Sequence, residues 1–259
     1  MRFLDDGIKK PVIIICHSFM AFKNWGFFPY LARRIAEAGF VSVIFNFSLN
    51  GVSRNGTRIT EFDKFARNTL SREFEDLKTV VDACTAETIG RSVIDSKRIG
   101  LLGHSRGSGI ATVYTPSDKR IKSLVTLSSI ATFERWREHQ IVEWKKNAFL
   151  PLAKNSTVSP LRLDLELLND YESNSDKLNI IQSAMKVSVP WLIVHGKADV
   201  TVQCKEAEAL YQASNKTTSE LLLMEKTGHL FNAATKEEDE YQTLDKVLEH
   251  TIQFYQRTL

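Results

Sequence analysis

Three cysteines, Cys16, Cys84 and Cys204, are all that 259 residues carry. So odd and sparse a set builds neither a disulfide framework nor a zinc site. Cys16 falls in a strand-like run and Cys84 on the apolar stripe of a helical segment, where a free thiol behaves as a small hydrophobe. Long apolar runs are missing too. None approaches the ~20 residues that span a bilayer, and the charged opening, 1–10, is too short for a secretory leader. A reducing, cytoplasmic setting without membrane attachment is the expectation. An excess of one charge is also lacking: 34 Lys and Arg face 31 Asp and Glu, for a net charge of +3. The bases lie scattered among the acids, so no nucleic-acid face is marked. Metal-ligand spacings, a P-loop, a dinucleotide glycine pattern, internal repeats and low-complexity segments are all absent, and neither metal nor cofactor is expected.

What is present is 43% hydrophobic residues, enough to bury the core of one α/β domain with insertions. Val12 to Ile15 form a continuous β-branched run, the mark of a strand buried on both faces. A helix is expected over 25–38, with Pro29 in its first turn and Gly39 to stop it. A second strand is expected over 41–47, then a polar loop over 48–68. Ser71 caps a helix over 72–88 whose stripe is Phe74, Leu77, Val81 and Cys84. Further strands are expected over 121–127, 189–194 and 221–224, with helices over 205–213 and 240–256. The last helix carries Leu244, Val247, Leu248, Thr251 and Tyr255 on one side. Strands alternating with helices indicate βαβ units and a mostly parallel sheet flanked by helices.

One segment, 130–187, breaks that alternation. It holds a charged helix-like stretch with Phe133, Trp136, Ile141 and Trp144, then a hairpin turning near Asn155 and Ser156, then a short helix in DLELLNDYE. The expected division is a core of 1–129 and 188–259 with 130–187 as an inserted lid.

The chemistry concentrates in RIGLLGHSRGSGIATVY, from Arg98 to Tyr114. A short apolar run turns sharply through Gly103-His104-Ser105-Arg106-Gly107 and continues at helical spacing. Strand, tight turn and helix around a serine is the layout of a nucleophile elbow. The glycines allow the strained turn, and Ser105 stands at a helix N-terminus, where backbone N–H groups favour negative charge. A serine nucleophile needs a base and a carboxylate to orient that base. VHGKAD supplies Asp199 after one strand, and EKTGHLF supplies His229 after the next. Loops at the same edge of a parallel sheet converge, and the chain order Ser105, Asp199, His229 is the hydrolase order. The oxyanion donors are expected to be the N–H of Arg106 and that of Phe19, with Met20 as the alternative. His17, His104, His139, His195 and His250 read as structural or surface residues, and Asp170, Asp176 and Asp239 as solvated ones.

On CHSFMAFKNWG, GHSRG, VHGKAD and TGH in this order, the chain resembles the α/β-hydrolase superfamily from about Pro11 to its end. The resemblance is to bacterial serine esterases and dienelactone-hydrolase-like or oligopeptidase-like proteins with a small lid. Two departures stand out. Ser18 replaces the glycine of the usual His-Gly-Phe loop. Only ten residues precede Pro11, where relatives usually carry two antiparallel strands, so the chain is either naturally short or lacks its start. True dienelactone hydrolases use a cysteine, so Ser105 argues against that activity. The resemblance implies a serine hydrolase, foremost a carboxylesterase. An amidase or peptidase with the same triad, or a ligand-binding receptor on the same scaffold, is the alternative. Phe133, Trp136 and Trp144 are the expected lining of a pocket for small or aromatic esters. The strand over 41–47 is expected at a sheet edge, where it could pair with a second copy.

Overall fold

The structure is a computed structural model that describes residues 1–54, 56–152, 161–233 and 241–259. Its first strand, β1 (Lys10–Cys16), leads to α1 (Phe28–Glu37), and β2 (Val41–Ile44) to α2 (Phe62–Ala66) and α3 (Leu70–Thr85). Next come β3 (Ile94–His104), α4 (Arg106–Tyr114) and β4 (Ile121–Leu127). The segment that breaks the alternation holds α5 (Glu138–Asn147), the strands β5 (Phe149–Pro151) and β6 (Arg162–Asp164), α6 (Leu165–Ser173) and α7 (Ile180–Ala184). The chain closes with β7 (Trp191–Gly196), α8 (Cys204–Ala213), β8 (Ser219–Met224) and α9 (Gln242–Thr258).

Among the described residues, a six-stranded sheet runs β2-β1-β3-β4-β7-β8 with every pairing parallel. The alternation of β1 explains its two layers. Val12, Ile14 and Cys16 join the core under α3, α4 and α8, while Ile13 and Ile15 join the one under α1 and α9. Val12 to Ile15 are fully buried, and burying each such side chain is worth roughly 1.5–3 kcal/mol. The order reverses at β1: the chain steps outward to β2, then back across β1 to β3. The crevice at such a reversal, beyond the carboxyl ends of the strands, is where open α/β sheets bind ligands.

Several boundaries differ from the sequence reading. β2 stops at Ile44. Beyond it the backbone leaves the ladder: Asn46 Oδ1 accepts the Lys23 N–H at 2.7 Å, and the Phe47 N–H donates to His17 Nε2 at 3.2 Å. The loop over 48–68 contains α2, whose Phe65 is buried. The cap of α3 is Thr69, whose hydroxyl accepts the Arg72 N–H at 3.2 Å. Ser71 lies within the helix, and its N–H donates to Asp170 at 2.9 Å. Asp170 therefore ties α6 to α3 rather than standing in solvent. Asp176 is exposed, and Asp239 lies outside the described residues. The expected hairpin is present as the antiparallel pair β5-β6; its turn, with Asn155 and Ser156, lies outside the described residues.

β2 is the terminal strand, as expected, but its outer side is not bare. Arg2 pairs antiparallel with Ser42 through reciprocal backbone hydrogen bonds of 2.9 Å. The expectation of a homodimer through this edge rested on open backbone, and at Ser42 that backbone is taken. Cys16 and Cys84 are buried free thiols, and Cys204 is half-buried. Among the described residues no helix is long and apolar enough to cross a membrane.

Candidate active site

Ser105 sits between the end of β3 and the start of α4 with φ 55° and ψ −121°. Such a conformation costs a non-glycine residue roughly 1–3 kcal/mol and is held by packing on both sides. A Cβ on Gly103 would lie 2.4 Å from Ser108 Cα, and one on Gly107 would lie 2.4 Å from the carbonyl oxygens of Cys16 and His17. The elbow is thus pressed against the end of β1, and only glycine fits at either flank. The Ser105 N–H donates to Leu127 O at 2.9 Å, tying the turn to β4. Among the described residues the Ser105 hydroxyl has no hydrogen-bond partner, and it opens onto a cavity that His229 also lines.

Asp199 and His229 meet across the loops that follow β7 and β8. His229 Nδ1 donates to Asp199 Oδ2 at 2.7 Å. Asp199 Oδ1 accepts the N–H groups of Thr201 and Val202 at 2.8 and 2.9 Å. Burial alone would raise the Asp199 carboxyl. Hydrogen bonds from His195, His229 and the Val202 amide outweigh it and hold the group well below the usual carboxylate range. The two loops also abut. A Cβ on Gly196 would lie 2.2 Å from Thr227 O, and the Ala198 N–H donates to that same oxygen at 3.0 Å.

Two histidines read as structural prove to support this arrangement. His195 is fully buried, and its Nε2 donates to Val202 O at 2.8 Å while lying 3.3 Å from Asp199 Oδ2. A carbonyl can only accept, so Nε2 carries the proton. His104 is also fully buried, and its Nε2 donates to the carbonyl of His229 at 3.0 Å, beside the Ser128 hydroxyl at 3.1 Å. These bonds fix the backbone from which the His229 ring projects. His17 donates from Nδ1 to Ser18 O at 2.9 Å and accepts at Nε2 from Phe47. His139 and His250 are exposed on helices.

Burial keeps two of these imidazoles neutral, lowering His104 from 6.5 to about 3 and His17 from 6.5 to about 4. Below 6.5 the unfolded chain binds protons that the folded chain refuses, so stability is present above that pH and lost as pH falls toward the folded values. Each histidine should remove about 2 kcal/mol between pH 7 and pH 5, about 4 kcal/mol together. Burial pushes the Glu73 carboxyl up against the pull of Arg106 and Asn68. Glu73 therefore takes up its proton earlier in the folded chain and returns part of the loss. Urea unfolding followed at pH 7 and pH 5 measures the balance, and equal stability at both would contradict neutral, buried His17 and His104.

The cavity beside Ser105 has a volume of about 320 Å³, at the lower end of the range for small-molecule sites. Ile130, Phe133, Arg135, Trp136, Leu152 and Leu163, all from the segment between β4 and β7, line it together with Ser105 and His229. Phe133 lies against α4, since a Cβ on Gly109 would come within 3.0 Å of its ring. Trp136 is half-buried at the cavity wall. Trp144, expected beside it, does not line the cavity. It is completely buried, with its ring 5.1 Å from that of Trp136. Helical spacing marks both indoles as apolar without telling which one meets the cavity. Glu206, in the first turn of α8, pins the start of this segment by accepting from the Ala131 N–H at 2.8 Å and from Arg135 at 2.9 Å. The sequence carried no sign of that tie.

The expected oxyanion donors also fall at the cavity, where both Phe19 and Arg106 contribute to the lining. Among the described residues neither backbone N–H donates to a protein acceptor. Glu73 is a further residue that the sequence reading missed. It is buried in the first turn of α3, takes a hydrogen bond from Arg106 Nε at 3.0 Å and another from Asn68 Nδ2 at 2.7 Å. The only hint was a carboxylate inside an apolar helical stripe. Among the described residues no group of three or more His, Cys, Asp or Glu side chains is gathered as a metal site would require.

Residues 11–151 match the α/β-hydrolase fold family, and residues 90–234 match the C-terminal domain of the BAAT and acyl-CoA thioester hydrolases. An uncharacterized 31.7 kDa protein of the traX-finO intergenic region of Escherichia coli is 27% identical over 217 residues, which are 80% of this chain and 70% of that protein. The uncharacterized protein YcjY of Escherichia coli K12 is 31% identical over 126 residues, covering 49% of this chain and 37% of that one. Among solved structures, the α/β hydrolase GrgF from Penicillium sp. sh18 is similar with a TM-score of 0.73 at 16% identity, over 96% of this chain and 90% of that one. Est1E from Butyrivibrio proteoclasticus, solved with ferulic acid bound, is similar with a TM-score of 0.70 at 18% identity, over 96% and 90%. At such identities the likeness is one of fold.

Proposed function

Because the chain belongs to the α/β-hydrolase fold family, we propose that it is a serine hydrolase cleaving carboxylic esters of small or aromatic acids. In this reading Ser105 attacks the ester carbonyl. His229 takes the hydroxyl proton and returns it to the departing alkoxide, and Asp199 keeps the imidazole in the tautomer whose Nε2 is free to accept. The amides of Arg106 and Phe19 receive the oxyanion, and water then releases the acid from the acyl-enzyme. The observation that carries the reading is the 2.7 Å bond from His229 to a buried Asp199, beside a cavity that a strained Ser105 shares.

A fluorophosphonate should modify Ser105 alone, and short p-nitrophenyl esters should turn over, with the Ser105→Ala protein as blank. Labelling without turnover of any ester, thioester or amide would favour a ligand-binding receptor. Turnover of anilides over esters would favour an amidase. A thioester arm belongs in the panel, since the match to thioester hydrolases over 90–234 favours that chemistry as a second reading with the same triad.

The segment over 130–187 acts in this reading as a lid that selects the acyl group. A cavity of about 320 Å³ with aromatic and aliphatic walls suits a short or aromatic acid better than a long lipid chain. Trp136→Ala should change the ratio of kcat/KM between an aromatic and a short aliphatic ester by on the order of 10-fold, while phosphonate labelling persists. Trp144→Ala should instead cost roughly 3–5 kcal/mol of stability through the void it leaves. Paired kinetics and thermal melts measure both. An unchanged preference in the Trp136 variant would count against the lid.

A further inference from the structure

The residue after Ser105 makes a set of contacts that the triad chemistry does not use. Arg106 Nε donates to Glu73 Oε2 at 3.0 Å, and Glu73 Oε1 is held by Asn68 at 2.7 Å. The guanidinium carbon lies 4.9 Å from the centre of the Phe19 ring, which also packs on Phe65 with ring centres 5.7 Å apart. Arg106 and Phe19, both at the cavity wall, are the two residues whose backbone amides are expected to receive the oxyanion. One opens α4 and the other lies on the loop after β1. Resting on the serine-hydrolase reading above, we infer that the Arg106 side chain, anchored by Glu73 and stacked on Phe19, is a positioning residue that fixes the spacing of the two oxyanion donors.

Three observations favour this over a purely structural pair. First, the loop that carries Phe19 is tied to the body through its backbone at Lys23, whose N–H donates to Asn46 Oδ1 at 2.7 Å, four residues beyond Phe19. It has Ser18 where the superfamily pattern has glycine, and Met20 in the left-handed region with φ 60°. Its local ties are the bonds from the Ala21 N–H and His17 Nδ1 to Ser18 O, at 3.1 and 2.9 Å, and the Phe19 amide itself bonds nothing among the described residues. Second, the pair is a poor stability device. A buried ion pair gains little over apolar residues of the same size, and this one is incompletely satisfied, since Arg106 Nη2 is buried without an acceptor. Third, the geometry suits a planar cation. Guanidinium can hydrogen-bond a carboxylate through its edge while its face covers an aromatic ring, which a lysine ammonium cannot do together. Glu73 neutralises the charge beside the site, so Arg106 acts by placing the amides rather than by attracting substrate. Displacing an oxyanion donor weakens transition-state binding far more than substrate binding.

The test uses the full chain and four proteins: wild type, Arg106→Met, Arg106→Lys, and Arg106→Met combined with Glu73→Gln. All keep the backbone N–H at position 106. Each is measured for melting temperature, for kcat and KM on p-nitrophenyl butyrate, and for inhibition by a trifluoromethyl ketone, whose adduct on serine carries an oxyanion. Both single variants should lose on the order of 10–100-fold in kcat, with KM within about threefold. The inhibition constant should rise by the factor that kcat falls. The paired variant removes both buried charges, so it should regain most of any lost melting temperature without regaining kcat. Recovery of kcat and inhibitor binding along with stability would show a structural pair and overturn the inference, as would wild-type values in Arg106→Lys. A rise in KM with kcat unchanged would make Arg106 a substrate contact and also overturn it. Phosphonate labelling of the wild type separates the two levels: if Ser105 is not labelled, the hydrolase reading fails and the inference with it.

Discussion

Ser105→Ala is expected to lower kcat on p-nitrophenyl esters by about 10⁶-fold and to abolish phosphonate labelling, with KM near the wild-type value. The size of the effect follows from the chemistry. In the proposed mechanism no acyl-enzyme forms without the hydroxyl, and what remains is the help that bound water receives from the proposed oxyanion amides. Alanine occupies the same strained backbone, with φ 55° in the parent, so the fold should not relax and the melting temperature should move by only a few degrees. The variant is therefore a clean blank. Activity within tenfold of wild type in a well-folded Ser105→Ala protein would remove Ser105 from the mechanism.

Asp199→Asn should follow at about 10⁴-fold in kcat. Asparagine has the shape of the carboxylate but presents a donor on one side. The amides of Thr201 and Val202 claim an acceptor at the Oδ1 position, at 2.8 and 2.9 Å. That leaves the amide NH₂ facing both His229 Nδ1 and His195 Nε2, which stand 2.7 and 3.3 Å from Oδ2. Two donors now confront a donor. His229 escapes by moving its proton to Nε2, where it can no longer accept from serine. In the wild type, the Asp199 carboxyl is held well below the carboxylate range by its hydrogen bonds, so it stays ionised in mild acid. The acid limb of kcat/KM should then carry no second proton from Asp199, and its slope should be one. Steady-state kinetics from pH 5 to pH 9 checks both points. A drop of less than tenfold would place the orienting carboxylate elsewhere, and a limb of slope two would bring a second titrating group into the mechanism.

Much of this site was readable because its parts sit at strand ends, where apolar runs give way to polar turns. GHSRG, VHGKAD and TGH each follow such a run, and a parallel sheet must bring its strand ends to one edge. The supporting residues were harder to see for a common reason: they act through the third dimension. His195 precedes Asp199 by four residues across a turn, and its ring returns to the same carboxylate, which no helix or strand period predicts. Glu73 shares an apolar stripe with Phe74 and Leu77 because its partner Arg106 arrives from another element. Trp136 and Trp144 are alike in sequence, yet one meets the cavity and the other supports it. The short helices α2 and α7 passed unnoticed because five residues carry too little periodicity to stand out from a loop.

The backbone at this site bears on how the protein could be bred. Met20 beside the oxyanion loop, Ser105 at the elbow, and Phe231 and Asn232 after His229 all have positive φ between 52° and 60°. Glycine would relieve roughly 1 kcal/mol or more of strain at Ser105, whereas at Phe231, completely buried in the core, the lost packing outweighs that relief. Laboratory evolution that rewards heat tolerance alone will therefore favour glycine at position 105, discarding the proposed nucleophile. Libraries of this scaffold need turnover and survival scored on the same clone, because a gain in survival lies at the residue proposed to supply turnover.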